Sequence, residues 1–391
     1  MKRTKYIFDF AMTVTFLVSI SLPLFFTHNK KESWVEKRQL AEFPEVTRTR
    51  EALMAFPIEF EQYYDDHFGF REQLTYAYNL LNFKLGVSPS SYAVIGKGGW
   101  FFYAGGRVIE DYRNSDLFTD AELAQWKEHL EVKYYGLQAK GIEYAFVIAP
   151  NKNTIYGEYM PSRFRKVGDT SRYDQLVEYM RSSEVPVIDL RPALLNHKHQ
   201  AYVLYDKTGT HWNAFGASIA QQTIAEAFMK KFPEVVPKVY TIEQFTLKSD
   251  AADRGIARMM NLLPKFNPPS PVLISTPPAC QREKLDPTTH HRTNNHSLFS
   301  TICSQTSSNL NALVFRDSFF IALQPYFSHY FSTVTYTEEQ AYFLSLEQFI
   351  EDFHYDIVVE ERVERRLKLI PKASPAPESY FHQIFLTRNV Q

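Results

Sequence analysis

The chain has 391 residues, a formal net charge of −1, 45% hydrophobic residues and 15% aromatics. That length exceeds one small domain, and the apolar fraction is ample for a core. The near-neutral balance leaves no basic excess to neutralise a phosphate backbone, which argues against nucleic acid as a partner.

The chain opens Met1-Lys2-Arg3-Thr4-Lys5, and an apolar run over 6–27 follows, interrupted by Asp9. A run of about 20 residues suffices to cross a bilayer as a helix, and the basic residues ahead of it hold its start in the cytoplasm. An uncleaved anchor over 1–28 is therefore expected. A signal peptide is the rival, but the run ends in Leu22-Pro23-Leu24-Phe25-Phe26 without a convincing small-x-small site, and Ser19-Ile20-Ser21 comes too early. On either reading the rest of the chain is exported.

Residues 29–118 mix charges, aromatics and turns. Helices are predicted over 57–66 and 72–84. Gly96-Lys97-Gly98-Gly99 reads as a hairpin turn before an aromatic strand over 100–103. From Thr119 the pattern changes. Thr119 with Glu122 makes a capping box; Leu123, Trp126, Leu130 and Leu137 then share a stripe, and Gly141 closes the helix. A short apolar strand over 144–149 follows. A helix from Ser171 with Leu176, Val177 and Met180 inward, a strand over 185–190 and a helix over 214–232 continue the series. Strands over 310–315, 333–336 and 356–359 and helices over 319–327 and 338–352 complete it. Short buried strands alternating with amphipathic helices predict an α/β fold, a parallel sheet covered by helices on both faces.

Between residues 266 and 309 the alternation stops. Pro268, Pro269, Pro271, Pro277, Pro278 and Pro287 fall here among many Ser, Thr and Asn, the signature of a long surface insertion. Its His290, His291 and His296 lack the carboxylates and fixed spacing of a metal site, so a solvated loop is the expectation and no metal or cofactor is called for. Cys280 and Cys303 are the only cysteines, and their spacing is not a zinc signature. In an oxidising compartment they can pair; two unpaired thiols are the alternative.

Two segments carry chemistry. In Asn311-Ala312-Leu313-Val314-Phe315-Arg316-Asp317-Ser318-Phe319-Phe320 a strand ends at Arg316, and a helix is predicted just after Ser318. A serine there stands at the carboxyl end of a parallel strand, where α/β sheets place their ligands, and at a helix N-terminus whose free N–H groups can hold an oxyanion. The same position suits a helix N-cap. The second segment is Tyr205-Asp206-Lys207-Thr208-Gly209-Thr210-His211-Trp212-Asn213. A histidine suits a general base near neutral pH. A lone histidine is usually structural, and Ser318 is the partner that raises this one.

Together these segments resemble the alginate O-acetyltransferase family of the AlgJ and AlgX type, SGNH-like enzymes of the bacterial periplasm. Glu36-Lys37-Arg38-Gln39-Leu40-Ala41-Glu42-Phe43-Pro44 is similar to that family's opening motif. Further matching blocks, in order, are Asp66-His67-Phe68-Gly69-Phe70-Arg71, the stretch from Ile95 to Tyr103, Ala149-Pro150-Asn151-Lys152 with Tyr156 and Pro161, and Gly255-Ile256-Ala257-Arg258-Met259-Met260. Asp317-Ser318-Phe319 resembles its serine motif, and Asp356-Ile357-Val358-Val359 with residues 361–365 its closing strand.

The resemblance implies an SGNH-like catalytic domain over 119–391 with its insertion at 266–309. Residues 29–118 form an N-terminal extension packing on that core, behind the 1–28 anchor in the inner membrane, with the catalytic domain in the periplasm. It implies that His211 takes the proton of Ser318, that an acetyl-enzyme forms and that a polysaccharide hydroxyl accepts the acetyl group. A polytopic membrane acyltransferase would deliver that group, since acetyl-coenzyme A is cytoplasmic. Backbone N–H groups of Ser318 and Phe319, with Asn151 or Lys152, are the candidate oxyanion donors. Arg316 and Trp212 are substrate-side candidates, and Trp100, Tyr103 and Trp212 either stack on sugar rings or are ordinary core aromatics. The family's histidine motif reads Asp-x-His-Trp, and here its first position is Gly209. Three readings follow: Asp206 supplies the carboxylate, another acid does so from elsewhere, or the chain is a weak, polymer-binding relative. The same pair could also deacetylate, with water in place of the sugar.

Overall fold

The computed structural model describes residues 2–26, 30–33, 38–285, 298–304, 306, 308–338, 340–371 and 375–389. Glu36 and Lys37 of the opening motif, and His290, His291 and His296, lie outside the described residues. Contacts divide the chain into two units, residues 1–90 with 257–265, and residues 91–256 with 266–391. The predicted boundary at residue 118 is therefore not where the contacts divide: the 93–103 hairpin belongs to the second unit.

The first unit holds helices α1 (Lys2–Ser21), α2 (Arg50–His67) and α3 (Arg71–Lys84). The expected membrane span is corrected here. The α-helix stops at Ser21, a 3-10 turn over Leu22–Phe26 containing Pro23 follows, and Asp9 places a charge within the helix. Among the described residues no helix is long and apolar enough to cross a membrane. Helix α2 starts earlier than predicted. Thr49 caps it by accepting from the Ala52 N–H, and Pro57 lies inside rather than at the start. Two of the recognised sequence blocks meet in this unit. Arg38 forms an ion pair with the buried Asp66, and the Ala41 N–H donates to the same carboxylate at 2.8 Å. Asn79 Nδ2 donates to the Met260 carbonyl at 2.9 Å, tying 257–265 to this unit.

The second unit begins with hairpin β1 (Ala93–Ile95) and β2 (Phe101–Tyr103), whose turn needs Gly98 and Gly99 at φ of 60° and 79°. Its centre is a seven-stranded mixed sheet. The strands are β3 (Glu143–Ala149), β4 (Val187–Asp189), β7 (Gln281–Lys284), β8 (Phe299–Ile302), β9 (Asn311–Phe315), β10 (Thr333–Thr337) and β11 (Ile357–Val363). The spatial order is β4-β3-β11-β9-β10-β8-β7. From β4 to β10 neighbours are parallel, and β8 and β7 close one edge antiparallel. A separate antiparallel pair joins β5 (Phe245–Lys248) to β6 (Ser270–Leu273).

The apolar runs of β3, β9 and the first half of β11 are explained by helices on both faces, since alternate residues of each strand enter different cores. Ala145, Val147, Val314 and Val359 pack with Phe215, Ile219 and Ile224 of helix α6 (Ala214–Met229). Tyr144, Phe146, Leu313 and Val358 pack with helices α4 (Asp120–Gln138), α5 (Arg172–Met180) and α7 (Phe343–Asp352). On α4 the Thr119–Glu122 capping box forms with both hydrogen bonds. Each large apolar side chain so buried contributes about 1.5–3 kcal/mol. Helix α8 (Tyr380–Asn389) closes the chain against α4, with the Tyr380 hydroxyl donating to the Gly136 carbonyl at 3.1 Å.

Two further expectations change. The 266–309 stretch is not only a loop: it supplies β6, β7 and β8, and the last two extend the sheet. A continuous helix over 319–327 is absent as well. A 3-10 turn (Phe320–Ala322) and a four-residue helix (Gln324–Phe327) stand there instead. Pro325 lacks an N–H and restricts the residue before it, so one regular helix cannot run through.

Candidate active site

Parallel strands end on one edge of the sheet, and that edge collects the candidate residues. Ser318 follows β9, Asn151 follows β3 and Arg365 follows β11. His211 arrives from a closed turn. Tyr205 and Trp212 form a β-bridge, Asn213 caps α6 through the Phe215 and Gly216 N–H groups, and the histidine lies just ahead of that cap.

Ser318 is exposed, and its Oγ lies 2.9 Å from His211 Nε2. On the other side of the ring, Nδ1 is 2.8 Å from Oδ2 of Asp253. That carboxylate is held from several directions. Its Oδ2 accepts the Thr210 N–H at 2.9 Å and the His211 N–H at 3.3 Å, and its Oδ1 accepts the Gly255 N–H at 2.8 Å. Burial alone would raise the Asp253 carboxyl. The His211 hydrogen bond and charge, with the Gly255 and Thr210 N–H donors, outweigh it and hold the group well below the usual carboxylate range.

Asp206 is therefore not the acid at His211. Its Oδ2 accepts the Asp253 N–H at 2.7 Å and its Oδ1 the Ser270 hydroxyl at 2.6 Å, so it fixes Asp253 from behind. Burial raises the Asp206 carboxyl, against the pull of those two donors. Gly209 is explained by the same arrangement. A Cβ at residue 209 would stand 2.3 Å from Asp253 Cγ, so the space a side chain would take is filled by the acid from the other segment. Asp253 had one signal in the sequence: it stands two residues ahead of Gly255, the start of a recognised block.

Lys152 is not aimed at the serine. It is buried, and its ammonium donates to the carbonyls of Asp206 at 3.0 Å, Lys207 at 3.2 Å and Gly209, clasping the turn that carries His211. Burial pulls it down to about 7, partly opposed by the charges of Asp253 and Asp206. Trp212 is likewise buried; its Nε1 donates to the Phe319 carbonyl at 2.9 Å, fixing the serine turn rather than a sugar. Trp100 is a core aromatic stacked against both Tyr156 and Tyr159. Tyr103 lies under the Arg365 guanidinium, 5.4 Å from its ring centroid. Arg316 pairs with Glu338 at 2.8 Å.

The expected oxyanion donors divide. The Phe319 N–H is taken by Asp317 Oδ1 at 2.8 Å, while Asp317 Oδ2 accepts the Val363 N–H at 2.8 Å. These bonds lock the serine turn to β11 and remove Phe319 N–H as a donor. Asn151 behaves differently. Its side-chain oxygen accepts from Arg365 at 3.2 Å, its backbone N–H donates to Glu364 at 2.8 Å, and its buried Nδ2 has no hydrogen-bond partner among the described residues. A buried amide donor left unmade is costly unless a ligand completes it.

A parallel-centred α/β sheet with an exposed serine, a histidine and a buffered carboxylate in line at its carboxyl edge defines an SGNH hydrolase-like protein. The chain belongs to the family described as SGNH hydrolase-like domain, acetyltransferase AlgX, which matches residues 93–302, just over half of it. His211 and Asp253 lie within that match, and Ser318 lies beyond it. The chain is similar to the probable alginate O-acetylase AlgJ of Pseudomonas syringae pv. tomato, at 24% identity over 241 residues, 61% of this chain and 58% of that protein. The Pseudomonas putida counterpart is 25% identical over 171 residues, 44% of this chain and 43% of that one. The chain thus spans less than two thirds of the length of these relatives. Among solved structures, the O-acetyltransferase domain of Pseudomonas putida AlgJ aligns with 76% of this chain and 99% of its own, at 17% identity and a TM-score of 0.46.

Proposed function

We propose that this chain is an O-acetyltransferase that acts outside the cytoplasm and moves an acetyl group onto hydroxyls of a polysaccharide. The observation that carries the reading is the unbroken line from Ser318 Oγ through His211 to Asp253. His211 Nε2 accepts the serine proton as Oγ bonds to the acetyl carbon of an ester or thioester donor. The donor's C–O or C–S bond then breaks, and the imidazolium returns the proton to the leaving group. A sugar hydroxyl enters by the reverse route, giving its proton to His211 and taking the acetyl group. Asp253 orients the imidazole and stabilises its charged form. Asn151 Nδ2 and the Ser318 N–H are the donors proposed for the developing oxyanion, where one such donor is worth about 10²–10³ in rate.

The activity for which the relatives are named, alginate O-acetylation, supports a uronate-type polymer as acceptor, and a polytopic membrane acyltransferase is the proposed donor. The Cys280–Cys303 disulfide supports a location outside the cytoplasm. With Asp253 in place of a carboxylate at 209, the glycine does not favour an inactive, polymer-binding subunit.

The test is acetyl transfer from a chromogenic acetyl ester, with and without an oligosaccharide acceptor, read by mass spectrometry of the sugar. Acetylated sugar, lost in Ser318→Ala and His211→Ala, is the expected result. Ester cleavage that no sugar accelerates, with no acetylated product, would make the chain an esterase. Full activity in Ser318→Ala would end the assignment of the site.

A further inference from the structure

At the far edge of the sheet a second cluster stands apart from the serine site. Cys280 immediately precedes β7 and Cys303 immediately follows β8. The register pairs Gln281 with Ile302, so the two cysteines face each other at the open end of that hairpin, where a disulfide joins them. A disulfide needs no third group, yet a histidine is built against this one. His329, in the turn ahead of β10, places Nε2 3.9 Å and Nδ1 4.0 Å from Cys280 Sγ. The two sulfurs and a ring nitrogen all lie within 4.8 Å of one another. Cys303 is buried, whereas Cys280 and His329 are half-buried and border an open cavity of about 330 Å³.

We propose that Cys280, Cys303 and His329 form a site for a soft divalent cation, zinc, that is available when the disulfide is reduced. Zinc takes thiolate at about 2.3 Å and imidazole at about 2.0–2.1 Å, so its ligand atoms stand roughly 3.5 Å apart in a tetrahedron. Once the sulfur–sulfur bond is cut, rotation of the two cysteine side chains reaches that spacing without moving the strands. The cavity leaves the fourth position to water or to an incoming ligand. The chemistry balances with a dithiol as reductant. It gives two electrons and two protons to the cystine and becomes a disulfide itself; Zn²⁺ then displaces the two thiol protons. A disulfide oxidant reverses the sequence and expels the metal. The cluster would thus hold the hairpin's open end closed in either redox state, by a covalent bond or by a metal.

The full-length chain is reduced with a phosphine, freed of reductant without air, and titrated with Zn²⁺ against a chromophoric chelator. Co²⁺ serves in parallel as a spectroscopic probe of thiolate ligation. The reduced protein should bind one equivalent at least a hundredfold tighter than the oxidised protein. His329→Ala should weaken that binding tenfold or more. Oxidised His329→Ala should keep wild-type acetyl transfer, showing that it folds. His290, His291 and His296 lie between the two cysteines in sequence, so a chain with all three changed to alanine is the control, and it should bind as wild type does. The proposal is overturned if reduction brings no tighter binding, if His329→Ala binds as tightly as wild type, or if the triple variant loses the site.

Discussion

At residue 209 a side chain and a neighbouring carboxylate compete for one volume: an added Cβ would come within 2.3 Å of Asp253 Cγ. Asp253→Asn keeps the shape but favours the wrong histidine tautomer, so kcat should fall about 10³–10⁴-fold with KM little changed. Gly209→Asp alone should also be slow and less stable, because two carboxylates would crowd one ring nitrogen. Gly209→Asp combined with Asp253→Gly should run at least ten times faster than Asp253→Asn. Steady-state kinetics on the three variants checks the set, and a wild-type rate in Gly209→Asp alone would contradict the geometry. The sequence disclosed Ser318 and His211 because each sits at the end of a recognisable element and completes the other. It did not disclose Asp253, which is 42 residues from the histidine and lies in a segment without periodicity. Asp206 looked nearer only because nearness along the chain is not nearness in space.

Among the elements, the turn carrying the histidine depends on a lysine from the end of β3. Lys152 donates to the Asp206, Lys207 and Gly209 carbonyls; the Lys207 carbonyl also accepts the Phe101 N–H of β2 at 2.8 Å and the Asp206 carbonyl the Gly209 N–H at 3.3 Å. Lys152→Met should strip the Gly209 carbonyl of its donor and weaken the hold on the other two, at a cost of about 1–3 kcal/mol. The histidine would lose its placement, so kcat should drop by more than KM rises. Denaturant unfolding and a kinetic split on the same protein measure both effects; a merely structural lysine would change the first alone. Strands β3, β9 and β11 were legible because burial on both faces writes short apolar runs, over 144–149, 312–315 and 357–359, although β11 continues through the buried charges of Glu360, Glu361 and Arg362. Strand β7 was not: Gln281, Arg282, Glu283 and Lys284 are all exposed, so this edge shows no alternation. Its charges instead keep the open edge from pairing with another chain. The helix after Ser318 was overread because Pro325 weighs more than the apolar pattern around it.

For the molecule as a whole, acid acts on the first of the two units through Asp66. There the hydrogen bond and charge of Arg38 and the Ala41 N–H outweigh burial and lower Asp66 to about 2. An unfolded aspartate titrates near about 3.9. The folded value is the lower one, so the stabilisation is complete above about pH 4 and disappears as pH falls toward about 2, at a loss on the order of 2 kcal/mol. Hydrogen-exchange protection factors of residues 38–84 should therefore fall across that window in the wild type. In Asp66→Asn they should be low already and nearly flat, and a parallel fall in both would disprove the role of the pair. The division near residue 90 was not visible in the sequence, because residues 257–265 join the first unit from far along the chain.

The catalytic line also has a consequence in time. Its serine stands 107 residues beyond its histidine, and its aspartate lies in a third segment between them. Contacts of such sequence separation form late, after the strands between them have paired. No fragment, nascent chain or half-folded intermediate brings the three groups together. The serine stays an ordinary alcohol until the whole sheet is assembled, and the appearance of turnover during refolding would time the last long-range closure of the fold.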